Sequence, residues 1–271
     1  LMRRMIIEAW LAPMWTAARS ISGEGFGMVT KVIDSKGVGF GNSEIVTFVG
    51  RSELSISRPF SCMSSGGKDC LGMLGEEFTN KCIVRPGEQV KLDDITTTTL
   101  GILGRPKEEV LPIFQGLRSK VANQQRVLYA EGKKRLLIVM QAMDTGGKDG
   151  CARKLFSRVD PQGVWVTPFK APSTRELSHD FLWRVHKVVP AKGEIAVFNR
   201  SHYEDIIAVR VKNLAPEKVW QKRYKHIVDF EQMLVDEGTT VLKFFLHISK
   251  EEQKRRLTQW LLSRSFYWCC F

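Results

Sequence analysis

The feature that most constrains this chain is a five-residue apolar run that leads straight into a glycine-rich, charged loop. Residues 136–140 read Leu-Leu-Ile-Val-Met, and Gln141-Ala142-Met143-Asp144-Thr145-Gly146-Gly147-Lys148-Asp149-Gly150-Cys151 follows. An unbroken apolar run with Ile and Val in it is the pattern of a strand covered on both faces of a parallel sheet, which places the chain in the α/β class. Gly146 and Gly147 let the backbone turn tightly and approach a ligand, so that successive N–H groups line a nest over the positive end of the next helix. Lys148 adds a full charge. Backbone dipoles and one ammonium together suit phosphoryl oxygens.

The strict pattern G-x-x-x-x-G-K-[ST] is not met, because Ala142 stands at its first glycine and Asp149 at its hydroxyl residue. The loop is therefore a Walker A variant. Carboxylates are hard oxygen ligands, so Asp144 and Asp149 would hold Mg²⁺ where a hydroxyl otherwise does. The alternative on the loop alone is a glycine-rich strand-to-helix turn with solvated charges. Lys148 is expected to be exposed when no phosphate is bound.

A second segment strengthens the phosphate reading. Residues 193–200 read Gly-Glu-Ile-Ala-Val-Phe-Asn-Arg, and Ser201-His202-Tyr203-Glu204-Asp205 follow, so another apolar strand delivers charge at its C-terminal end. In open parallel sheets the ligand crevice lies outside the carboxyl ends of the strands. Residues 164–167 read as a further strand, which brings Lys170 to the same edge.

At this point the sequence resembles the second polyphosphate kinase family, whose members are polyphosphate:nucleotide phosphotransferases. The resemblance rests on the loop at 141–150, Val-Asp-Pro-Gln-Gly-Val at 159–164, Phe-Lys-Ala-Pro at 169–172, His-Asp-Phe-Leu-Trp-Arg at 179–184 and Phe-Asn-Arg-Ser-His-Tyr-Glu-Asp at 198–205. It runs over residues 82–257, and the Asn-Arg-Ser-His-Tyr-Glu-Asp form resembles the branch that takes nucleoside mono- and diphosphates. It implies a P-loop kinase-like α/β fold, a mostly parallel sheet with helices on both faces. It also implies Mg²⁺-dependent transfer of a terminal phosphoryl group between inorganic polyphosphate and AMP, ADP or another nucleotide, in a homo-oligomer.

Carried over residue by residue, Asp144, Lys148 and Arg200 are the catalytic candidates. Gly146, Gly147, Lys148, Asp149, Gly150, Lys170, Arg184 and Arg200 are the candidates for phosphate and polyphosphate, and Asp144, Asp149 and Glu204 those for the metal. His202 reads as a local hydrogen-bonding residue, not a base. Cys151 stands where the family usually has Thr or Ser, and Asn199 where other branches carry Asp.

Charge and cysteines bound the partners and the compartment. The net charge of +12 and pI near 9.5 imply a polyanionic partner, whether nucleic acid, an anionic membrane surface or a phosphate polymer, and charge sign alone does not choose among them. Nucleic acid is not the expected one, since no recognised binding module occurs. No apolar run reaches a membrane-spanning length, so no membrane partner is expected. The six cysteines show no zinc-like pairing and read as reduced thiols of a cytoplasmic protein.

Residues 1–81 are left as an unassigned extension whose glycines read as turns, and Ser65-Gly66-Gly67-Lys68-Asp69 as a chance echo of the later loop. The chain begins at Leu1, consistent with a reading that starts upstream of the natural start. Helices are predicted at 111–131, 151–159, 173–188, 203–211, 216–237 and 250–257, with a last strand at 239–248. The helix at 173–188 should start at a capping Ser173 and Glu176 and carry an Asp180–Arg184 surface pair. Lys222, Arg223 and Lys225 read either as a solvated face or as part of a track for a long anion.

Residues 82–257 form the expected core domain, and 258–271 a divergent aromatic tail where the family has a lid. That pattern is expected of a truncated chain or a shifted reading frame, with turnover reduced. Two other functions remain open: a catalytically weak polyphosphate-binding protein without a lid, and an ATP-dependent nucleotide kinase.

Overall fold

A computed structural model of the chain describes residues 27–32, 46–51, 83–84, 90–95, 97 and 106–262. Seven strands form one sheet: β1 (Gly27–Val32), β2 (Val46–Arg51), β3 (Ile83–Val84), β4 (Arg135–Ala142), β5 (Val164–Pro168), β6 (Ile195–Asn199) and β7 (Thr239–His247). Their order is β3-β1-β2-β7-β4-β6-β5. The four strands from β7 to β5 pair in parallel, with β4 in the middle between β7 and β6. β2 adds antiparallel to the outer edge of β7, and β1 and β3 continue that extension. An antiparallel edge on a parallel sheet is a common way to complete an α/β fold.

The sequence left 1–81 unassigned, and the alternation of β1 and β2 is too brief to stand out from the glycine-rich stretches around them. Gly27, read as part of a turn, opens β1. The echo at 65–69 and residues 263–271 of the expected tail lie outside the described residues.

Helices cover both faces of the parallel part. They are α1 (Lys107–Glu131), α2 (Lys148–Leu155), α3 (Thr174–Leu177), α4 (Trp183–His186), α5 (Glu204–Val211), α6 (Glu217–Asp236) and α7 (Lys250–Leu262). Successive side chains of β4 point to opposite faces, as strand geometry requires. Leu137 and Val139 join Phe198, Val241 and Phe245 under Val185, Ile206, Ile227 and Phe230 from α4, α5 and α6. Ile138 and Met140 join Val197 and Leu246 under Cys151 and Ala152 of α2 and Leu128 of α1. Both faces of the apolar run at 136–140 are thus packed. Fully burying each such side chain contributes about 1.5–3 kcal/mol.

One predicted helix is broken. The Ser173–Glu176 capping box forms, but α3 ends at Leu177 and the chain does not resume a helix until Trp183. In between, the Asp180 carboxylate accepts from the Leu182 N–H at 2.9 Å. Short polar side chains compete with the helix ladder in this way. The expected Asp180–Arg184 pair is replaced by Arg184 Nη2 to Asp205 Oδ2 at 2.8 Å. α7 runs on to Leu262, five residues beyond the predicted end. Among the described residues no helix is long and apolar enough to cross a membrane.

Candidate functional site

Register brings the loops together. Met140 of β4 is level with Asn199 of β6, and Asn199 is level with Pro168 of β5. The backbone beyond these ends stays stitched, since Arg200 N donates to Met140 O at 3.0 Å and Phe169 N to Asn199 O at 3.0 Å. The loop after β4, the Arg200 turn and the Phe169-Lys170 segment therefore lie along one edge of the sheet.

The loop geometry explains its two central glycines. A Cβ on Gly146 would sit 2.5 Å from the Ala142 Cβ and 2.8 Å from the Met143 carbonyl oxygen. Gly147 caps α2 with φ of 93°. Gly150 is different, because open space lies where its Cβ would stand. Two non-glycine residues of the site also lie in the left-handed region, Thr145 at φ 62° and Arg200 at φ 61°. That conformation costs an L-residue about 1–2 kcal/mol, and for β-branched Thr145 it is a true outlier. Backbone strain of this kind collects at functional sites.

Lys148 corrects an expectation. Its side chain is only 7% exposed, with Nζ donating to the carbonyls of Ala142 at 3.2 Å and Met143 at 3.4 Å. Burial, then the nearby Arg200 guanidinium, lowers its pKa, against the opposing pull of Asp144, Glu204 and Asp149. The ammonium finds acceptors in the strand end and folds back onto them instead of facing solvent. Arg200 stays half-exposed, its Nη2 3.6 Å from Asp144 Oδ1, and the Asp144 carboxylate is 78% exposed. Glu204, first residue of α5, is partly buried; burial raises its pKa, while Arg200, Lys148 and a hydrogen bond from Gln141 pull the other way.

Asp149 Oδ1 accepts from Asn199 Nδ2 at 2.5 Å, which ties the start of α2 to the end of β6. Asp144, Lys148, Asp149, Arg200 and Glu204 thus form one cluster. Lys170 is exposed on the same edge. Arg184 is otherwise engaged: its guanidinium pairs with Asp205, donates to the Lys170 carbonyl at 2.9 Å and lies over the Phe169 ring. It braces the Lys170 segment against α5. Among the described residues no group of three or more His, Cys, Asp or Glu side chains is gathered for a metal ion.

The sequence reading missed the supports of the site. Gln141 donates to the Ser201 hydroxyl at 2.9 Å, joining β4 to the Arg200 turn. His202 is fully buried with Nε2 3.1 Å from Glu231 Oε1, in keeping with its reading as a local hydrogen-bonding residue. Glu231 also accepts from the Tyr203 hydroxyl at 2.9 Å and from Lys243 Nζ at 2.6 Å. A signal existed: Lys243 is a lone charge inside an apolar strand, and a buried lysine requires a partner. From α7, Gln253 donates to the Asp144 carbonyl at 2.9 Å and Arg256 to the Thr145 carbonyl at 2.6 Å. Gln253 closes a stretch, 246–253, that belongs to the family resemblance, but the sequence assigns neither residue a role. Cys151 is buried against the sheet, and desolvation pushes its thiol up to about 12, so it is a packing residue and not a nucleophile.

A glycine-rich strand-loop-helix turn at the C-terminal edge of a parallel sheet, with helices on both faces, defines an α/β protein of the P-loop kinase-like fold. The family model described as Polyphosphate kinase 2 (PPK2) matches residues 109–262, more than half of the chain, and the chain belongs to that family. It is similar to the AMP/ADP-polyphosphate phosphotransferase of Meiothermus ruber, 57% identical over 153 residues that cover 56% of this chain and 57% of that protein. It is also similar to the ADP-polyphosphate phosphotransferase of Rhodopseudomonas palustris, 40% identical over 66% of this chain and 65% of that protein. The crystal structure of polyphosphate kinase 2 from Arthrobacter aurescens TC1 matches with a TM-score of 0.63 and 40% identity, over 68% of this chain and 66% of that one. The chain spans 57% and 65% of the lengths of the two curated relatives.

Proposed function

We propose that this chain carries out transfer of a terminal phosphoryl group between inorganic polyphosphate and a nucleoside mono- or diphosphate, AMP or ADP. The observation that carries the proposal is the convergence of Lys148, Arg200 and Asp144 around the glycine loop at the ends of β4 and β6. Phosphoryl transfer asks for positioning and charge neutralisation more than covalent chemistry. The loop amides and Lys148 take the oxygens of one phosphate. Lys148 leaves the Ala142 and Met143 carbonyls for the anion, a stronger acceptor. Arg200 takes charge on the transferring group and is held in reach of it by Asp144.

The residues fit a magnesium ion. Mg²⁺ keeps several waters and needs only one or two protein carboxylates, with substrate phosphates completing its shell. Asp144 is the main candidate, because its carboxylate is exposed beside the phosphate nest. Asp149 has one oxygen engaged by Asn199, and Glu204 has its proton affinity raised by burial, so both are secondary ligands. Bound there, the ion would neutralise charge on the phosphates. The excess of basic residues supplies the attraction for a long polyanion, with Lys170 at the mouth of the site.

The test is to incubate the purified chain with Mg²⁺ and ADP, adding either polyphosphate or GTP as donor. ATP formed from polyphosphate alone is the expected result. ATP formed from GTP alone would make it an ordinary nucleotide kinase, and polyphosphate binding without turnover would make it a binding protein.

A further inference from the structure

The phosphate loop is held from outside by a helix far away in sequence. Gln253 Nε2 donates to the Asp144 carbonyl at 2.9 Å and Arg256 Nη1 to the Thr145 carbonyl at 2.6 Å, over separations of 109 and 111 residues. These contacts fall on two consecutive peptides of the loop. Arg256 is itself oriented: its Nε donates to Glu252 Oε1 at 2.7 Å, and Glu252 is only 7% exposed. Glu252 also receives Arg255 through Nε and Nη2, but no loop carbonyl is bonded by Arg255.

Peptide geometry turns these contacts into an aiming device. The described residues contain no cis peptide bond, and a trans peptide points its C=O and N–H in opposite directions. Drawing the Asp144 carbonyl toward α7 therefore aims the Thr145 N–H away from it. The Thr145 N–H donates to no backbone carbonyl of the described residues, whereas the Gly146 N–H is engaged by Met143 O at 2.9 Å. An anion nest fails if its carbonyls swing inward, since their dipoles repel the ligand that the amides attract.

Thr145 would relax without outside support, because a β-branched residue at φ 62° is strained. Its hydroxyl oxygen is also buried with no hydrogen-bond partner among the described residues. A residue with a strained backbone, an uncommitted amide and an orphaned hydroxyl is poised for a ligand, and α7 holds it there.

We propose that Gln253 and Arg256 are positioning residues, which hold the Asp144 and Thr145 carbonyls so that the Thr145 N–H is presented to a phosphate group. This rests on the reading of the loop as a phosphate site. The latch also couples the loop to α7, so a displacement of that helix loosens the nest.

The experiment compares wild-type, Arg256→Ala, Gln253→Ala and Arg255→Ala versions of the full chain, titrated with polyphosphate in the presence of Mg²⁺. Arg255→Ala is the control, because it removes the same charge and a contact to the same carboxylate without touching the loop. Gln253→Ala leaves the Glu252–Arg256 pair intact, so it keeps the test open should Arg256→Ala fail to fold. Affinity should fall roughly tenfold or more in Arg256→Ala and a few-fold in Gln253→Ala, and stay within about twofold of wild type in Arg255→Ala.

Equal losses in Arg255→Ala and Arg256→Ala would overturn the proposal. In the ligand-free proteins the Thr145 and Gly146 amide resonances should shift in Arg256→Ala and Gln253→Ala but hold in Arg255→Ala. Unchanged resonances would overturn the latch whatever the binding data. If wild type bound no polyphosphate, the phosphate reading would fall, while the amide comparison would still decide whether α7 sets the loop.

Discussion

Lys148 Nζ rests against two carbonyl oxygens, so an incoming phosphate competes with Ala142 and Met143 for one ammonium. Lys148→Ala should lower phosphoryl transfer by about 10²–10³-fold, the scale on which losing one preorganised charge-stabilising donor is felt. Lys148→Met keeps the buried stem and should lose as much activity with less effect on the melting temperature. Initial rates and thermal melts of both variants check this, and wild-type turnover in either would remove Lys148 from the chemistry. The residues that carry charge to the site were legible because they follow apolar strands directly: Asp144 and Lys148 after β4, Arg200 after β6. The burial of Lys148 was not legible, since it depends on the path of carbonyls that no composition rule reveals. Gln253 and Arg256 were hidden for another reason, as contacts more than a hundred residues apart leave no local pattern.

Between elements, the strongest tie beneath the site is the buried group that joins α6 to β7. Glu231 and Lys243 are 4% and 6% exposed, and their charged atoms are 2.6 Å apart. Burial alone would raise the Glu231 carboxyl, but the Lys243 ammonium and His202 outweigh it and hold the group at about 2, below its ordinary 4.5. Lys243→Met should therefore cost about 3–5 kcal/mol, because it leaves an uncompensated buried carboxylate, and adding Glu231→Leu should recover part of the loss. Urea denaturation of the two single variants and the double measures this, and additive losses would show that the pair does not act as a unit. The carboxyl is depressed in the folded state, so its contribution is complete above about pH 4.5 and fades as pH falls toward 2.

The strands β4, β6 and β7 and the helix α6 were legible from apolar runs and 3.6-residue spacing. The break between α3 and α4 was not, because an Asp180 turn competes with a helix pattern that the apolar residues alone support. β1 and β2 were missed because a strand six residues long carries too little alternation to be seen against neighbouring glycines.

For the whole molecule the net charge of +12 is the dominant long-range property. If it serves a phosphate polymer, polyphosphate affinity should fall by roughly tenfold or more between 50 and 200 mM salt, since each phosphate contact releases condensed counterions. Chains of increasing length should bind progressively better until the basic surface is filled. Titrations at the two salt concentrations with short and long polyphosphate check both points. Salt-independent affinity would confine recognition to the loop.

The order of strands in the sheet has a kinetic consequence. Gln141 and Ser201, which meet at the site, are 60 residues apart, and Arg135 beside β7 bonds a carbonyl 102 residues away. Parallel neighbours share no hairpin, so such pairings come late, after most of the loop-closure entropy has been met. Until β4, β6 and β7 stand side by side there is no concave row of amides for an anion to enter. Phosphate or polyphosphate should therefore act as a brake on the way out and not as a template on the way in. Stopped-flow traces with and without ligand should show the unfolding limb slowed and the refolding limb unchanged. Faster refolding would mean that the nest is already formed in the transition state, ahead of the sheet that frames it.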